Sequence, residues 1–201
     1  YFSAKLHVPQ NFSAHVEELK NNKIERVIIV GMGGSAISGD IIQSAYSDIL
    51  PVMVYKDYKI PYISSNDLLL VCSYSGNTEE TLSCLEQGMK VTKNIAAVTC
   101  NGILKQKIGS KYLWCELPNG FPPRSAIAFL FFSLVTLLEQ YQIIPRKEME
   151  IKRTIATLMI KAGAISKDVE LECNLAKQAA SRIKGKIPLI YSSNPSLAPI
   201  A

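Results

Sequence analysis

A strand–turn–helix pattern that occurs twice in the first half of the chain most constrains its fold. Residues 26–30 (R-V-I-I-V) form a β-branched run that passes into a glycine-rich turn at 31–36 and then into an apolar helical stretch up to Tyr46. Residues 67–72 (D-L-L-L-V-C) pass in the same way into a polar turn at 73–81. Short apolar runs between turns are typical of parallel strands that are covered on both faces. The repeated pattern therefore predicts a parallel sheet with crossing helices.

Strands and helices alternate through the rest of this region. Further apolar runs predict strands at 51–55, 94–99 and 112–115. Apolar residues at helical spacing predict helices at 11–20, 78–89, 124–141 and 149–166. Because parallel strands need crossover connections, this order predicts an α/β protein: a three-layer α/β/α sandwich with a parallel sheet of about five strands.

A break in composition at 145–148 (P-R-K-E) marks a predicted domain boundary. Beyond it, a predicted helix at 174–184 and a predicted strand at 187–191 repeat the order that opens the chain. We therefore expect a first domain over residues 1–145, with the helix at 11–20 leading it. Residues 146–201 would contain a connecting helix and the start of a second, similar domain.

Charge and hydropathy exclude several classes of partner. The chain has 22 Lys and Arg against 17 Asp and Glu, a net charge of +5, and the basic residues are dispersed, so we expect no nucleic acid partner. The longest apolar run, 126–138, is interrupted by Ser133 and Thr136 and is shorter than the roughly 18 residues of a membrane span. The chain starts at Tyr1 without the features of a secretory signal. We expect a trimmed N-terminus, no membrane association and a cytoplasmic location.

Cysteine and histidine usage argues against a metal or disulfide framework. The five cysteines are odd in number and have no C-x-x-C spacing, which fits reduced thiols better than disulfides or a zinc site. The only histidines are His7 and His15, both before the first strong strand. A histidine-based metal site or catalytic triad would have to use them, and we assign neither a role.

The two turns have the chemistry of an anion site. Ligands of parallel sheets bind outside the carboxyl ends of the strands, where these turns lie. Glycines allow backbone N–H groups to approach an anion, and each following helix presents its positive end. Hydroxyl groups add further donors; they belong to Ser35, Ser73, Ser75 and Thr78. Neither turn continues into the Gly-Lys-Ser/Thr of a P-loop, which disfavours a nucleoside triphosphate.

A dinucleotide site is the alternative interpretation of the first turn. Gly31-x-Gly33-x-x-Ala36 satisfies the Rossmann fingerprint with its tolerated final Ala, and Asp57 follows about 20 residues later. The hydroxyl-rich second turn suits a phosphate monoester better than a dinucleotide.

Three segments together resemble a known family. The turn at 31–35 (G-M-G-G-S), the loop at 73–81 (S-Y-S-G-N-T-E-E-T) and Pro123-Arg124 resemble the sugar isomerase (SIS) fold. They are most similar to the bifunctional phosphoglucose/phosphomannose isomerases of archaea and bacteria, over roughly residues 10–200. The serine-rich loop is the most specific of these elements.

The resemblance implies an activity and a set of site residues. It implies an aldose–ketose isomerase that interconverts glucose 6-phosphate and mannose 6-phosphate with fructose 6-phosphate, as a homodimer without metal or organic cofactor. The phosphosugar-binding residues that it implies are Gly33, Gly34, Ser35, Ser73, Ser75 and Thr78. Arg124 would face the reacting carbons as the catalytic residue, because a guanidinium stabilises the negative charge of a cis-enediolate.

One departure from the family pattern concerns the catalytic base. The family's base and ring-opening groups are a glutamate, a histidine and a lysine in motifs that are absent from the 201 residues. We therefore expect these groups beyond residue 201. The alternative function is a non-catalytic phosphosugar sensor, since SIS domains also occur in regulators.

Overall fold

A six-stranded sheet organises the chain up to Ile144. The computed structural model describes residues 4–19, 23–146 and 148–192, with only the backbone of Pro123 and Arg124. The chain divides into two compact units, one ending at Ile144 and the other comprising Pro145–Tyr191. The strands of the first unit are β1 (Lys5–His7), β2 (Arg26–Val30), β3 (Val52–Tyr55), β4 (Asp67–Ser73), β5 (Ile95–Thr99) and β6 (Leu113–Glu116).

The sheet order is β1-β6-β5-β4-β2-β3. Strands β2 to β6 are parallel, which confirms the predicted five-stranded parallel sheet, and β1 is an additional antiparallel edge strand on β6. Every residue of β4 and β5 is buried. This burial explains why their sequences are continuous apolar runs instead of alternating ones.

Helices cover both faces of this sheet. They are α1 (Phe12–Glu18), α2 (Gly34–Tyr46), α3 (Glu79–Gly88), α4 (Gly102–Ile108) and α5 (Ile127–Gln140), the last preceded by a 3₁₀ turn at Pro123–Ala126. On one face α3 and α4 pack against alternate strand residues such as Ile28 and Leu69. On the other face α2 packs against α5 and lies on β2, where a Cβ at Gly39 would be 2.9 Å from Ile29 Cγ2. The predicted three-layer α/β/α sandwich is therefore confirmed.

An ion pair between the partly exposed Arg26 and the buried Asp67 joins β2 and β4 at their amino ends. Arg26 donates from Nε and Nη2 to the two carboxylate oxygens of Asp67, at 2.9 and 2.6 Å, and the Ser64 amide donates to Asp67 Oδ2 at 2.6 Å. Burial alone would raise the pKa of Asp67, but these hydrogen bonds outweigh it and the pKa lies below its ordinary value of 3.8. The pair aligns the two strands whose opposite ends carry the glycine-rich and serine-rich loops.

The second unit consists of α6 (Glu148–Ala164), a 3₁₀ turn (Leu171–Cys173) and α7 (Leu175–Ile183). No residue of α6 or α7 is buried. The buried residue between them is Asn174, whose side chain accepts from the Lys177 amide at 3.0 Å and donates to the Ser166 carbonyl at 2.8 Å. Asn174 is thus the N-cap of α7.

The strand predicted at 187–191 is wrong, because these residues have no regular structure. Ile187 and Tyr191 are 91% and 87% exposed. A strand needs a neighbour for its backbone hydrogen bonds, and the described part of this unit forms no other strand. Pro188 also lacks the N–H that a central strand donates.

Among the described residues, no helix is long and apolar enough to cross a bilayer.

Candidate functional site

The strand order places a topological switch point between the carboxyl ends of β2 and β4. From β2 the chain crosses to β3 on one side and then to β4 on the other, so the connections leave in opposite directions. Open α/β sheets bind ligands at such a switch point, outside the carboxyl ends of the strands. The loops that follow β2 and β4 start side by side there: a Cβ at Gly31 would be 2.9 Å from the Cys72 carbonyl oxygen.

The first loop ends in an open helix start. Gly33 is the N-cap of α2 with φ +52° and ψ −128°, a conformation that L side chains rarely adopt, and its position has free space in front of it. No described side chain caps the helix here, although the Ser35 amide donates to the Met32 carbonyl at 3.1 Å. Gly34 and the buried Ser35 are the first two residues of α2. An uncapped helix N-terminus with open space before it is suited to bind an anion.

The second loop is held by its own hydroxyl groups. Ser73 Oγ is buried, accepts from the Gly76 amide at 3.0 Å and lies 2.9 Å from Thr78 Oγ1. Thr78 is the N-cap of α3, yet its side chain makes no cap hydrogen bond. Ser75 is exposed, and its Oγ accepts from the Asn77 amide at 3.3 Å. Ser73 therefore shapes the loop, whereas Ser75 presents a hydroxyl at the surface.

The start of α4 packs against this second loop and forms hydrogen bonds with it. Gly76 has φ +71°, and a Cβ there would lie 1.7 Å from the Asn101 carbonyl oxygen. The Gly76 carbonyl accepts from the Leu104 amide at 2.9 Å, and Asn77 Oδ1 accepts from the Ile103 amide at 3.0 Å. Sequence analysis missed both α4 and this support, because the contact joins segments that no local pattern connects.

A hydrogen bond from a main-chain amide to a side-chain hydroxyl joins the two loops. The Tyr74 amide donates to Ser35 Oγ at 3.4 Å, so the first turn of α2 contacts the serine-rich loop directly. The Tyr74 carbonyl accepts from the Cys100 amide at 3.0 Å, which ties the loop to the end of β5. The loops therefore form one continuous surface of glycines, hydroxyls and helix starts.

The structure brings together the residues that the sequence nominated for binding. They lie at the start of α2 (Gly33, Gly34, Ser35) and in the loop between β4 and α3 (Ser73, Ser75, Thr78). The backbone of Arg124 lies in the 3₁₀ turn before α5, and its side chain lies outside the described residues. The binding and catalytic roles of these residues remain predictions.

The neighbouring acidic and thiol groups have other environments. Tyr58 donates to Glu79 Oε2 at 3.3 Å, and the charges of Glu80 and Glu79 raise the pKa of Tyr58. Both glutamates lie in the first turn of α3, where carboxylates favour the positive helix end. Burial raises the pKa of the Cys72 thiol beside the loop, and that of Cys84 to about 11. These thiols are therefore protonated and poor nucleophiles at neutral pH.

The sheet order bears on the dinucleotide alternative. Read in chain order from β2, the parallel strands follow the flavodoxin-like order 2-1-3-4-5 instead of the classical dinucleotide-binding order. Asp57, the candidate ribose ligand, accepts a hydrogen bond from the next amide, that of Tyr58, at 2.6 Å. Both observations argue against a dinucleotide.

Another cavity of the described structure lies away from the two loops. It measures about 840 Å³ and is lined by residues 6–11, 109–112 and Trp114, beside β1 and the amino end of β6. It lacks the paired helix starts that converge at the switch point. Convergent donors outweigh volume as evidence for a ligand site, so the candidate site is the pair of loops.

Comparisons with known proteins place the chain in a family. No protein-family model matches it. It is 34% identical over 200 residues to a bifunctional phosphoglucose/phosphomannose isomerase of Caldicellulosiruptor bescii, an alignment that covers 96% of this chain and 58% of that protein. A protein of the same name from Thermoplasma volcanium is 34% identical over 180 residues, with 89% and 54% covered. The chain belongs to the bifunctional phosphoglucose/phosphomannose isomerase family.

The chain spans between half and two thirds of the length of these family members. A solved structure, the C-terminal domain of glucosamine-fructose-6-phosphate aminotransferase from Francisella tularensis, superposes with a TM-score of 0.68 at 16% identity. The superposition covers 94% of this chain and 55% of that domain. This superposition shows that the chain has the SIS-type α/β fold.

Proposed function

We propose that this chain forms the phosphosugar-binding part of an aldose–ketose isomerase. The enzyme interconverts glucose 6-phosphate and mannose 6-phosphate with fructose 6-phosphate. The observation that carries the proposal is the pair of uncapped helix starts, at Gly33 and Thr78, which converge at the switch point in a chain of this family.

The phosphate group occupies the crevice between the two loops. A phosphate monoester offers three oxygens, which need several donors from different directions. Amides at the starts of α2 and α3 supply some, and the exposed hydroxyl of Ser75 and the half-buried Thr78 supply others. Because both helices point their positive ends at the same crevice, their dipoles add to the attraction for a dianion.

The reaction moves a proton between C1 and C2 of the open-chain sugar. Removal of that proton gives a cis-enediolate, whose negative charge needs a preorganised partner. Arg124 fills this role because its guanidinium can donate to both oxygens, and Pro122 and Pro123 stiffen the backbone that leads to it. The base and the ring-opening group lie outside the 201 residues. Positioned acids and bases suffice for this chemistry, so the proposal includes no metal or organic cofactor.

We also propose an assembly and a cellular location for the enzyme. Family resemblance supports a homodimer with hexose 6-phosphate as its ligand, in the cytoplasm. The described cysteines are free thiols, which is compatible with a reducing compartment.

The test is fructose 6-phosphate formation from each aldose, in the presence of EDTA, by the full-length protein and by the 201-residue chain. We expect turnover of glucose 6-phosphate and mannose 6-phosphate by the full-length protein, and binding with little turnover by the shorter chain. Saturable binding without turnover by the full-length protein would replace the enzyme with a sensor. The absence of binding by both would exclude the proposed site.

The variant Ser75→Ala tests the site itself in the full-length protein. Loss of one hydrogen bond to a charged phosphate costs about 1.5–3 kcal/mol, so KM should rise about tenfold or more with unchanged thermal stability. The matched control is Ser47→Ala, since Ser47 is the C-cap at the opposite end of α2. An unchanged KM in Ser75→Ala would remove Ser75 from the site.

A further inference from the structure

Tyr74 connects the serine-rich loop to a second loop that the function does not yet include. Its hydroxyl donates to the Pro118 carbonyl at 2.8 Å and accepts from the Phe121 amide at 3.0 Å. The phenol therefore both donates to and accepts from the segment that follows β6. Tyr74 itself lies between Ser73 and Ser75, the two serines of the candidate phosphate loop.

The segment 118–122 depends on these two bonds. Its residues 119–122 are exposed, and Gly120 has φ +89°. Within the part of the chain that the structure describes, the hydrogen bonds that tie residues 118–121 to another segment both go to Tyr74. The Phe121 ring packs on Phe129 with ring centroids 5.0 Å apart, which leaves the hydroxyl as the polar anchor of the loop.

A displacement of residues 118–121 would move the backbone of Arg124 by a similar distance. Arg124 is the third residue after Phe121, and the two residues between them are prolines, whose rings fix φ near −65°. Pro122 has φ −57° and ψ 141°, and the 3₁₀ turn begins at the next residue. The chain from Phe121 to Arg124 is therefore stiff, and the position of the Phe121 amide sets where the turn starts.

We propose that Tyr74 is a positioning residue. Its hydroxyl couples phosphate binding to the position of the 3₁₀ turn that contains Arg124. Phosphate in the crevice orders the loop 73–78, and the phenol transmits that order to residues 118–124. The inference rests on the proposed function for its kinetic consequence, but the mechanical coupling does not require turnover. Tyr74 acts through Arg124 and does not itself touch the reacting carbons.

The kinetic test is Tyr74→Phe in the full-length protein, which removes the hydroxyl and keeps the ring. Misplacement of a catalytic group by about 1 Å costs on the order of 100-fold in rate. We expect kcat to fall between about tenfold and 100-fold while KM for fructose 6-phosphate changes by less than about threefold. A KM increase with unchanged kcat, or no change in either, would overturn the inference.

The matched control is Tyr141→Phe. The Tyr141 hydroxyl is buried and donates to the Ile95 carbonyl at 3.1 Å, so the variant loses a comparable bond away from the two loops. It should lose thermal stability and keep kcat. If Tyr141→Phe and Tyr74→Phe lost kcat equally, the effect of Tyr74 would be one of general stability and the inference would fail.

Hydrogen exchange separates this inference from the proposed function. Binding of glucose 6-phosphate should slow amide exchange at 31–36 and 73–78 and, in the wild type alone, at 118–126. In Tyr74→Phe, ligand binding should slow exchange at 31–36 and 73–78 but not at 118–126. Protection of 118–126 that persists in the variant, or that never appears in the wild type, would overturn the coupling. Wild-type protein that binds without turnover would overturn the isomerase proposal alone.

Discussion

At the scale of single residues, Gly76 imposes the strictest requirement on the candidate site. It combines φ +71° with a Cβ position 1.7 Å from the Asn101 carbonyl oxygen. Gly76→Ala must therefore strain its backbone and push the loop away from α4. We expect the free energy of unfolding to fall by more than about 2 kcal/mol and sugar phosphate binding to be lost, as measured by urea denaturation and calorimetric titration.

Gly109→Ala is the control for this prediction. Gly109 also has a positive φ, +46°, but its Cβ would meet only an ordinary contact, 3.6 Å from the Gln106 carbonyl. This variant carries the conformational cost alone, about 1–3 kcal/mol, and should bind as the wild type does. Equal effects of the two variants would show that the contact with Asn101 does not shape the loop.

The hydroxyl groups of the site could be predicted from the sequence because they lie within two short segments. Ser35 and Ser73 to Thr78 each follow a strand that the apolar pattern marks clearly. The different duties of Ser73 and Ser75 could not be predicted, since they depend on which hydroxyl folds inward to the Gly76 amide. The contact of Tyr74 with residues 118–121 joins positions too far apart for any periodicity to reveal.

At the scale of elements, the Arg26–Asp67 pair controls how β2 and β4 align. The pKa of Asp67 lies below its unfolded value of about 3.9, so its carboxylate stabilises the fold above about pH 4 and this contribution is lost as the pH falls through the lower, folded pKa. Asp67→Asn should reduce the free energy of unfolding by about 3 kcal/mol at pH 7. The difference from wild type should narrow below about pH 4, as measured by urea denaturation across pH.

Glu86→Gln is the matched control at this scale. Glu86 pairs with Lys107 at 2.9 Å, and both side chains are substantially exposed. Exposed pairs contribute little, so this variant should unfold as the wild type does. A difference between Asp67→Asn and wild type that stays constant from pH 7 to pH 3 would contradict the role of the Asp67 charge.

The two elements that the sequence did not predict, β1 and α4, are short. β1 has only three residues, K-L-H, and pairs antiparallel to β6, where His7 stacks on Trp114 and its Nε2 lies 2.8 Å from Glu116 Oε2. α4 has seven residues and begins at Gly102, a poor helix former. Neither provides enough periods for a pattern, whereas the long buried strands do.

At the scale of the whole chain, the two units differ in what holds them. The first has a sheet covered on both faces; its five parallel strands follow from the strand–turn–helix pattern, whereas their order in the sheet does not. In the second, α6 and α7 bury none of their residues. The apolar run at 187–191 predicted a strand, but a strand forms only where a neighbour accepts its hydrogen bonds. The identity of residues 146–201 as the start of a second SIS domain remains a proposal.

The most direct test of the central claim is a crystal structure of the full-length protein with glucose 6-phosphate. We expect the phosphate between the starts of α2 and α3, within hydrogen-bond distance of the Ser75 hydroxyl and the amides that follow Gly33. We also expect that Arg124 approaches C1 and C2 of the sugar. Phosphate bound in the cavity beside β1, with the two loops empty, would contradict the account.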